Sequence, residues 1–364
     1  MMKTSKYLAF SILFSASILF LASCNTNDPA DDTPVAKNII FLIGDGMGLS
    51  HLQAAWTVNG GTLAVEQATH VGLQKTQSAN RYITDSAASG TAMACGTKTK
   101  NGVIGMDSAM NEVESILKLA EQNNKATGLI STSSITHATP ASFIANDSSR
   151  SNYEAIAADF LDTDIDLFIG GGLDHFTKRA DGRDLTEELK ANGYTLAASM
   201  QEVVDHTSGK LAALTAPVHN PNMLNGREDM LPLATKKALD LLRQDEDGFF
   251  LMIEASQIDW GAHQNNQEYV VSETRDFDRT IKLVLDFAKE DGETLVVITA
   301  DHETGGMIVL NGNIQEKRVE TAFTTGGHTG IMIPVFAYGP RAELFTGIYE
   351  NTAFKEKFIT AYNW

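Results

Sequence analysis

"NIIFLIGDG", residues 38–46, carries five consecutive large apolar side chains, Ile39 to Ile43, and then breaks into Gly-Asp-Gly. There is no polar residue at every second place, so neither face of the segment is meant for water. A run this short, bounded by turn residues and apolar throughout, reads as a strand buried on both faces of a parallel sheet. The pattern returns in "ATGLIST" (126–132), "DLFIGGG" (166–172), "FFLMIEAS" (249–256), "TLVVITADH" (294–302) and "IPVFAYGP" (333–340). Helical stretches separate these runs: "NEVESILKLAEQNN" (111–124), "LATKKALDLLRQ" (233–244) and "QEYVVSETRDFDRTIKLVLDFAKE" (267–290). Strands alternating with helices predict an α/β fold, a mostly parallel central sheet flanked by helices on both faces. No internal repeat or low-complexity boundary interrupts residues 38–364, which are expected to form a single domain.

The chain of 364 residues is 43% hydrophobic, enough for a full core, and carries a formal charge of −18. The first 23 residues hold two lysines, Lys3 and Lys6, and no acid, so the rest stands at −20. Such a field repels nucleic acid and anionic membranes and excludes a basic nucleic-acid-binding surface. An anionic substrate would need positive charge from elsewhere, and bound metal ions supply it.

Residues 1–23 read as an export signal, with a basic start and the apolar run "LAFSILFSASILFL" (8–21). The run ends in "LASC" (21–24), which resembles a bacterial lipoprotein box. This implies cleavage before Cys24, lipidation of its thiol, and a periplasmic or cell-envelope location. "NTNDPADDTPVA" (25–36), polar and acidic, fits a flexible tether across residues 24–37. The only other cysteine is Cys95, so no internal disulfide framework is available. Set among small residues, Cys95 reads as a buried spacer.

Open α/β sheets bind ligands beyond the carboxyl ends of their strands. Here the predicted strands end in metal-type ligands: Asp45 after the first, Glu254, Asp259 and His263 after the fourth, Asp301 and His302 after the fifth. "TTGGHTGIMIPV" (324–335) adds His328 just before the last strand. Singly, each has a plain alternative, since a strand-terminal Asp commonly caps a helix and a lone His is commonly a packing residue. Together, four carboxylates and three imidazoles at one sheet edge require paired cations. Carboxylate with imidazole and no thiolate points to zinc, with magnesium beside it.

The stretch "TDSAASGTAMACGTKTKNG" (84–102) is poor in large apolar residues and rich in hydroxyls. If Ser86 opens a helix at the same sheet edge, helix N–H groups and a nearby metal favour its alkoxide. Thr84, Ser89 and Thr91 are rivals for the nucleophile, and the residues alone do not choose among them.

"NIIFLIGDGMG", "TDSAASGTAMACGTKTKNGVIG", "THATPASFIANDSSR", "MIEASQIDWGAHQNN", "TADHETGG" and "GGHTG" occur in that order from residue 38 onward. In this the chain resembles the bacterial, metal-dependent, phosphoserine-forming alkaline phosphatases. The resemblance implies a phosphoric monoester hydrolase with two zinc ions and one magnesium. It places the phosphorylated serine on Ser86 and the first zinc on Asp259, His263 and His328. The second zinc falls on Asp45, Asp301, His302 and Ser86, and magnesium on Asp45, Thr139 and Glu254. Arg150 matches the phosphate-gripping arginine, and Asp85 the acid that orients it. Two zinc ions about 4 Å apart neutralise a phosphate dianion and clamp entering and leaving oxygens, while guanidinium grips the non-bridging oxygens bidentately. A homodimer, a broad range of monoesters and phosphate scavenging are also implied.

Two positions depart from some members of the family. His137 stands where certain bacterial enzymes carry Asp near magnesium, and Trp260 where they carry Lys beside the substrate. Imidazole suits magnesium less well than carboxylate, so His137 leaves the third metal's identity open. The spacing from Asp301 to His328 leaves little room for a large insertion. Two other readings remain to be separated from monoester hydrolysis. A phosphodiesterase of the same superfamily is expected to lack the arginine and third metal shell, and a phosphate- or metal-binding lipoprotein would not turn over. A sulfatase is disfavoured because "DSAASG" offers no modifiable residue in a Pro and Arg pattern.

Overall fold

The computed structural model describes residues 34–364, which form one compact unit. The expected signal peptide and most of the tether lie outside the described residues. The end of the tether is held more firmly than expected. Ala36 is buried and its N–H donates to Ala361 O at 3.0 Å, while Lys37 N–H donates to Glu293 O at 2.9 Å. Packing therefore begins two residues before the predicted boundary.

The strands, in chain order, are β1 (Asn38–Gly44), β2 (His70–Lys75), β3 (Ala126–Ser134), β4 (Leu167–Gly171), β5 (Thr195–Ala197), β6 (Leu211–Leu214), β7 (Phe249–Ala255), β8 (Thr294–Thr299), β9 (Glu303–Thr304), β10 (Met307–Asn313), β11 (Arg318–Phe323), β12 (His328–Thr329), β13 (Ile333–Tyr338) and β14 (Gly347–Glu350). Ten of them make one sheet, in the order β14-β2-β13-β8-β1-β7-β3-β4-β6-β5. Every neighbouring pair is parallel except those made by β13, which runs antiparallel to both β8 and β2.

The lone reversal has a topological cause. The chain leaves β8 at its carboxyl end, builds the β10–β11 hairpin and the small β9–β12 ladder there, and re-enters the sheet beside β8 from the same end. Without a crossover it must run back down. The excursion returns His328 to the edge where Asp301 and His302 already lie.

Strand β1 shows why the apolar runs have no polar face. Ile39, Phe41 and Ile43 enter one core, with Phe143, Phe250, Phe354 and Phe358. Ile40 and Leu42 enter the other, with Leu251, Ile253 and Phe277. The Phe41 ring lies 5.1 Å from Phe358 and 5.2 Å from Phe354. Each fully buried side chain of this kind contributes about 1.5–3 kcal/mol relative to exposure.

The helix predicted over 111–124 is shorter, Ile116–Gln122. Ser115 caps it by accepting from Lys118 N–H at 3.2 Å. Residues before it are tied into a loop instead: Asn111 N–H donates to Asp107 Oδ1 at 2.9 Å and Val113 N–H to Gly105 O at 2.9 Å. The long helix Gln267–Asp291 closely matches its prediction, and a third spans Met230–Leu242.

Gly72 lies in β2 between β13 and β14, and a Cβ there would meet Phe345 O at 2.2 Å. Gly72→Ala is expected to destabilise the domain by about 1–3 kcal/mol through the forced backbone shift. Urea unfolding of both proteins checks this, and an unchanged midpoint contradicts it.

Candidate active site

Asp45 follows β1 directly and is fully buried. Gly46 next to it has φ +72°, and a Cβ at that position would lie 2.8 Å from Thr304 Oγ1 and 2.9 Å from Asp259 Cα. Only glycine satisfies both the turn and the approach. Its N–H donates to Asp301 Oδ1 at 3.0 Å, and His302 N–H donates to the same oxygen at 2.9 Å.

Ser86 is the first residue of the helix Ser86–Cys95, capped by Asp85, whose carboxylate accepts from Ala88 N–H at 3.0 Å. All ten residues of this helix are buried. That explains its composition: a Cβ on Gly90 would already meet Ser142 Oγ at 2.8 Å on the neighbouring helix Ala138–Ile144. Cys95 is packed there as a spacer, its thiol pushed up to about 12 by burial.

The geometry separates Ser86 from its rivals. Ser89 Oγ donates to Asp301 O at 2.7 Å, Thr84 Oγ1 to Asp85 O at 3.0 Å, and Thr91 Oγ1 to Val103 O at 3.3 Å. These hydroxyls are engaged by backbone carbonyls. Ser86 Oγ instead lies 3.5 Å from Asp45 Oδ2 and 3.3 Å from His302 Nε2.

Three groups of donors meet around it. His302 Nε2 is 3.1 Å from Asp301 Oδ2 and 3.5 Å from Asp45 Oδ1. Asp259 and His263 sit one turn apart on the helix Gln257–His263, with His263 Nε2 3.2 Å from Asp259 Oδ2. His328 Nε2 comes to 3.1 Å from His263 Nε2 and 3.6 Å from Asp259 Oδ1. Asp45, His137 and Glu254 form the third group, with ligand atoms within 4.8 Å of one another.

The donor groups fit cations. His263 Nδ1 lies 2.7 Å from Gly326 O and His328 Nδ1 2.9 Å from Thr84 O. Each carbonyl calls for an Nδ1–H, so the two Nε2 lone pairs face each other. The hydrogen bond to Asp259 lifts His263 to about 9, whereas burial holds His328 down at about 4. Burial, then Asp301, Asp259 and Glu254, push Asp45 well above the usual carboxylate range, and burial raises Glu254 to about 7. Asp45 Oδ1, Glu254 Oε1, Thr139 Oγ1 and His137 Nδ1 are all buried without a hydrogen bond. Divalent ions would satisfy these atoms and the clustered negative charge together.

Arg150, half-buried, donates from Nη1 to Asp85 Oδ2 at 3.1 Å, and its Nη2 lies 3.3 Å from His137 Nε2. Asp85 Oδ2 also accepts from Gly102 N–H at 2.9 Å. Trp260 packs edge-on against His137, with ring centres 6.0 Å apart, and against His219 at 4.8 Å.

The structure thus brings the four acids, the imidazoles of His137, His263, His302 and His328, Ser86 and the Asp85–Arg150 pair together at one sheet edge, whereas Cys24 lies outside the described residues. The sequence reading missed the residues that support them. Ser131 and Ser256 hydroxyls both donate to Glu254 Oε2 at 2.6 Å, and Thr304 Oγ1 donates to Asp259 Oδ1 at 2.5 Å. The signal was present in "STSS" (131–134), a run of hydroxyls inside an otherwise apolar strand.

The alkaline phosphatase family profile matches residues 36–313. Alkaline phosphatase 3 of Bacillus subtilis is 34% identical, over 97% of this chain and 94% of its own length. The structure of alkaline phosphatase from the Antarctic bacterium TAB5 superposes with a TM-score of 0.86 at 42% identity, covering 91% of this chain and 99% of that one. A His-to-Glu variant of the TAB5 enzyme, 41% identical to this chain over 91% of it and 99% of its own chain with a TM-score of 0.86, has Mg bound in a site called M3. The chain belongs to the alkaline phosphatase family.

Proposed function

We propose that this protein hydrolyses phosphate monoesters through a phosphoseryl intermediate on Ser86. The observation that carries the reading is the placement of Ser86 Oγ. Alone among the hydroxyls of its stretch that compete for the role, it faces the acid and imidazole cluster, while Thr84, Ser89 and Thr91 are spent on carbonyls.

Asp259, His263 and His328 would hold one zinc ion, and Asp45, Asp301 and His302 with Ser86 a second. Asp45, Thr139 and Glu254 would hold the third ion, of magnesium type, with His137 as a further donor. When bound, such ions offset the charge of a phosphate dianion and make serine and water hydroxyls more acidic.

Ser86 Oγ attacks phosphorus in line, the ester oxygen leaves, and the phosphoryl group passes to the serine. Water then displaces the serine oxygen and releases phosphate. The Ser86–Cys95 helix holds the nucleophile at its first turn, so little reorganisation precedes attack. The Arg150 guanidinium grips two non-bridging oxygens, and Asp85 holds the fork at the required angle. With both reacting oxygens and the spread charge of the transferring group held in place, catalysis is chiefly positioning and electrostatics. Trp260 brings no cation to the substrate side, so product phosphate leaves sooner than it would beside a lysine.

Export, lipid anchoring through Cys24, a periplasmic or envelope location, a homodimer and phosphate scavenging complete the proposal. They rest on the N-terminal sequence and the family resemblance.

Ser86→Ala is expected to lower p-nitrophenyl phosphate turnover at least about 1000-fold, as removal of a nucleophile does, and a chelator should abolish turnover by the parent. Turnover of bis-p-nitrophenyl phosphate exceeding that of the monoester would instead favour a phosphodiesterase. Asp85→Asn loosens Arg150, so KM and the inhibition constant for phosphate are expected to rise about 10-fold while kcat changes far less. Steady-state kinetics with added phosphate measures both. For Trp260→Lys, the phosphate inhibition constant should fall about 10-fold, and a value equal to the parent's removes the argument about product release.

A further inference from the structure

Three imidazoles serve the two proposed zinc sites, and they are oriented in two different ways. His263 and His328 each direct Nδ1 at a backbone carbonyl, Gly326 O and Thr84 O. His302 directs Nδ1 at a side chain, the hydroxyl of Thr304, 3.2 Å away. The same hydroxyl donates to Asp259 Oδ1 at 2.5 Å.

Thr304 is fully buried and firmly placed. Its N–H donates to Gly46 O at 3.1 Å, and it pairs with His328 in the β9–β12 ladder. The φ of +72° and missing side chain at Gly46 leave the hydroxyl its space.

A hydroxyl has one proton to give. At 2.5 Å from a carboxylate oxygen, in the range of a charge-assisted O–H···O⁻ bond, that proton belongs to Asp259. The hydroxyl can then only accept from His302, so His302 Nδ1 must carry the hydrogen. The lone pair is thereby left on Nε2, the nitrogen that faces Ser86, Asp45 and Asp301.

We propose that Thr304 is a positioning residue that joins the two zinc sites. It fixes the tautomer of His302 in one site and the oxygen orientation of Asp259 in the other. This rests on the functional reading above, in that His302 and Asp259 are taken as zinc ligands. Outer partners of this kind typically change metal affinity 10–100-fold when removed.

The test uses the zinc-stripped full chain, with zinc uptake measured against a chromogenic chelator. Thr304→Val keeps the shape and removes the hydroxyl, and zinc affinity should fall about 10–100-fold. Thr304→Ser restores the hydroxyl and should return affinity to within about threefold of the parent. In the zinc-saturated proteins, the Nδ1–H proton resonance of His302 should be present in the parent and the Ser variant. It should be lost to exchange in the Val variant. Should Thr304→Val not fold by circular dichroism, Thr304→Ala carries the same expectation. Parent-like zinc affinity in the folded Val or Ala variant overturns the proposal, as does a Ser variant no better than Val. A parent that takes up no zinc overturns the functional reading, and the proposal falls with it. A parent that binds zinc and loses turnover in Ser86→Ala, with affinity indifferent to position 304, refutes the Thr304 assignment alone.

Discussion

Four carboxylates, those of Asp45, Glu254, Asp259 and Asp301, are buried together in a chain that already carries a formal charge of −18. Among the described residues their compensation is partial: His263 is bonded to Asp259, and Arg150 lies at the margin with one arm committed to Asp85. Bringing such groups out of water costs several kcal/mol each unless a counter-charge is supplied. The arrangement is therefore incomplete as polypeptide alone. Its cost would be met by bound cations, for which the same acids that add to burial in raising Asp45 create affinity.

The sheet makes that concentration of charge possible. Neighbouring parallel strands end at the same edge, so β1, β7 and β8 deliver their terminal acids side by side without any long loop. The antiparallel β13 lets the chain return to this edge with His328 rather than cross to the opposite end. Rigid ladder backbone on one side and the Ser86–Cys95 helix on the other hold the reacting groups with few free torsions. Preorganisation of this kind is where most of the catalytic advantage of a phosphoryl-transfer site lies.

Much of this was legible in the chain. The central strands β1, β3, β4, β7, β8 and β13 were readable because burial on both faces leaves an uninterrupted apolar run. β2, with "HVGLQK", lacks such a run, and β5, β6 and β14 are only three or four residues long, so no periodic signal marks them. The start of the Ile116–Gln122 helix was misplaced because "NEVE" has helical propensity but is captured by Asp107 and Gly105. At the site, ligand types at strand ends were visible from residue chemistry, and the choice of Ser86 over its rivals needed the family motifs. Ser131 left a trace in the hydroxyl run of β3, but the supporting hydroxyls of Ser256 and Thr304 were not legible, since a Ser or Thr in a buried segment can bond equally well to nearby backbone. Only the spatial partner reveals its role.

The helix that carries Ser86 has no outward face. A surface helix offers several positions where a side chain can change size without consequence, but here every such change is felt by a neighbouring element. Drift along residues 86–95 is thus confined to small side chains for steric reasons, independently of chemistry. Variation in what the enzyme accepts has to come from outside this helix, at half-buried positions such as Trp260 beside His137, where a new side chain displaces solvent rather than protein.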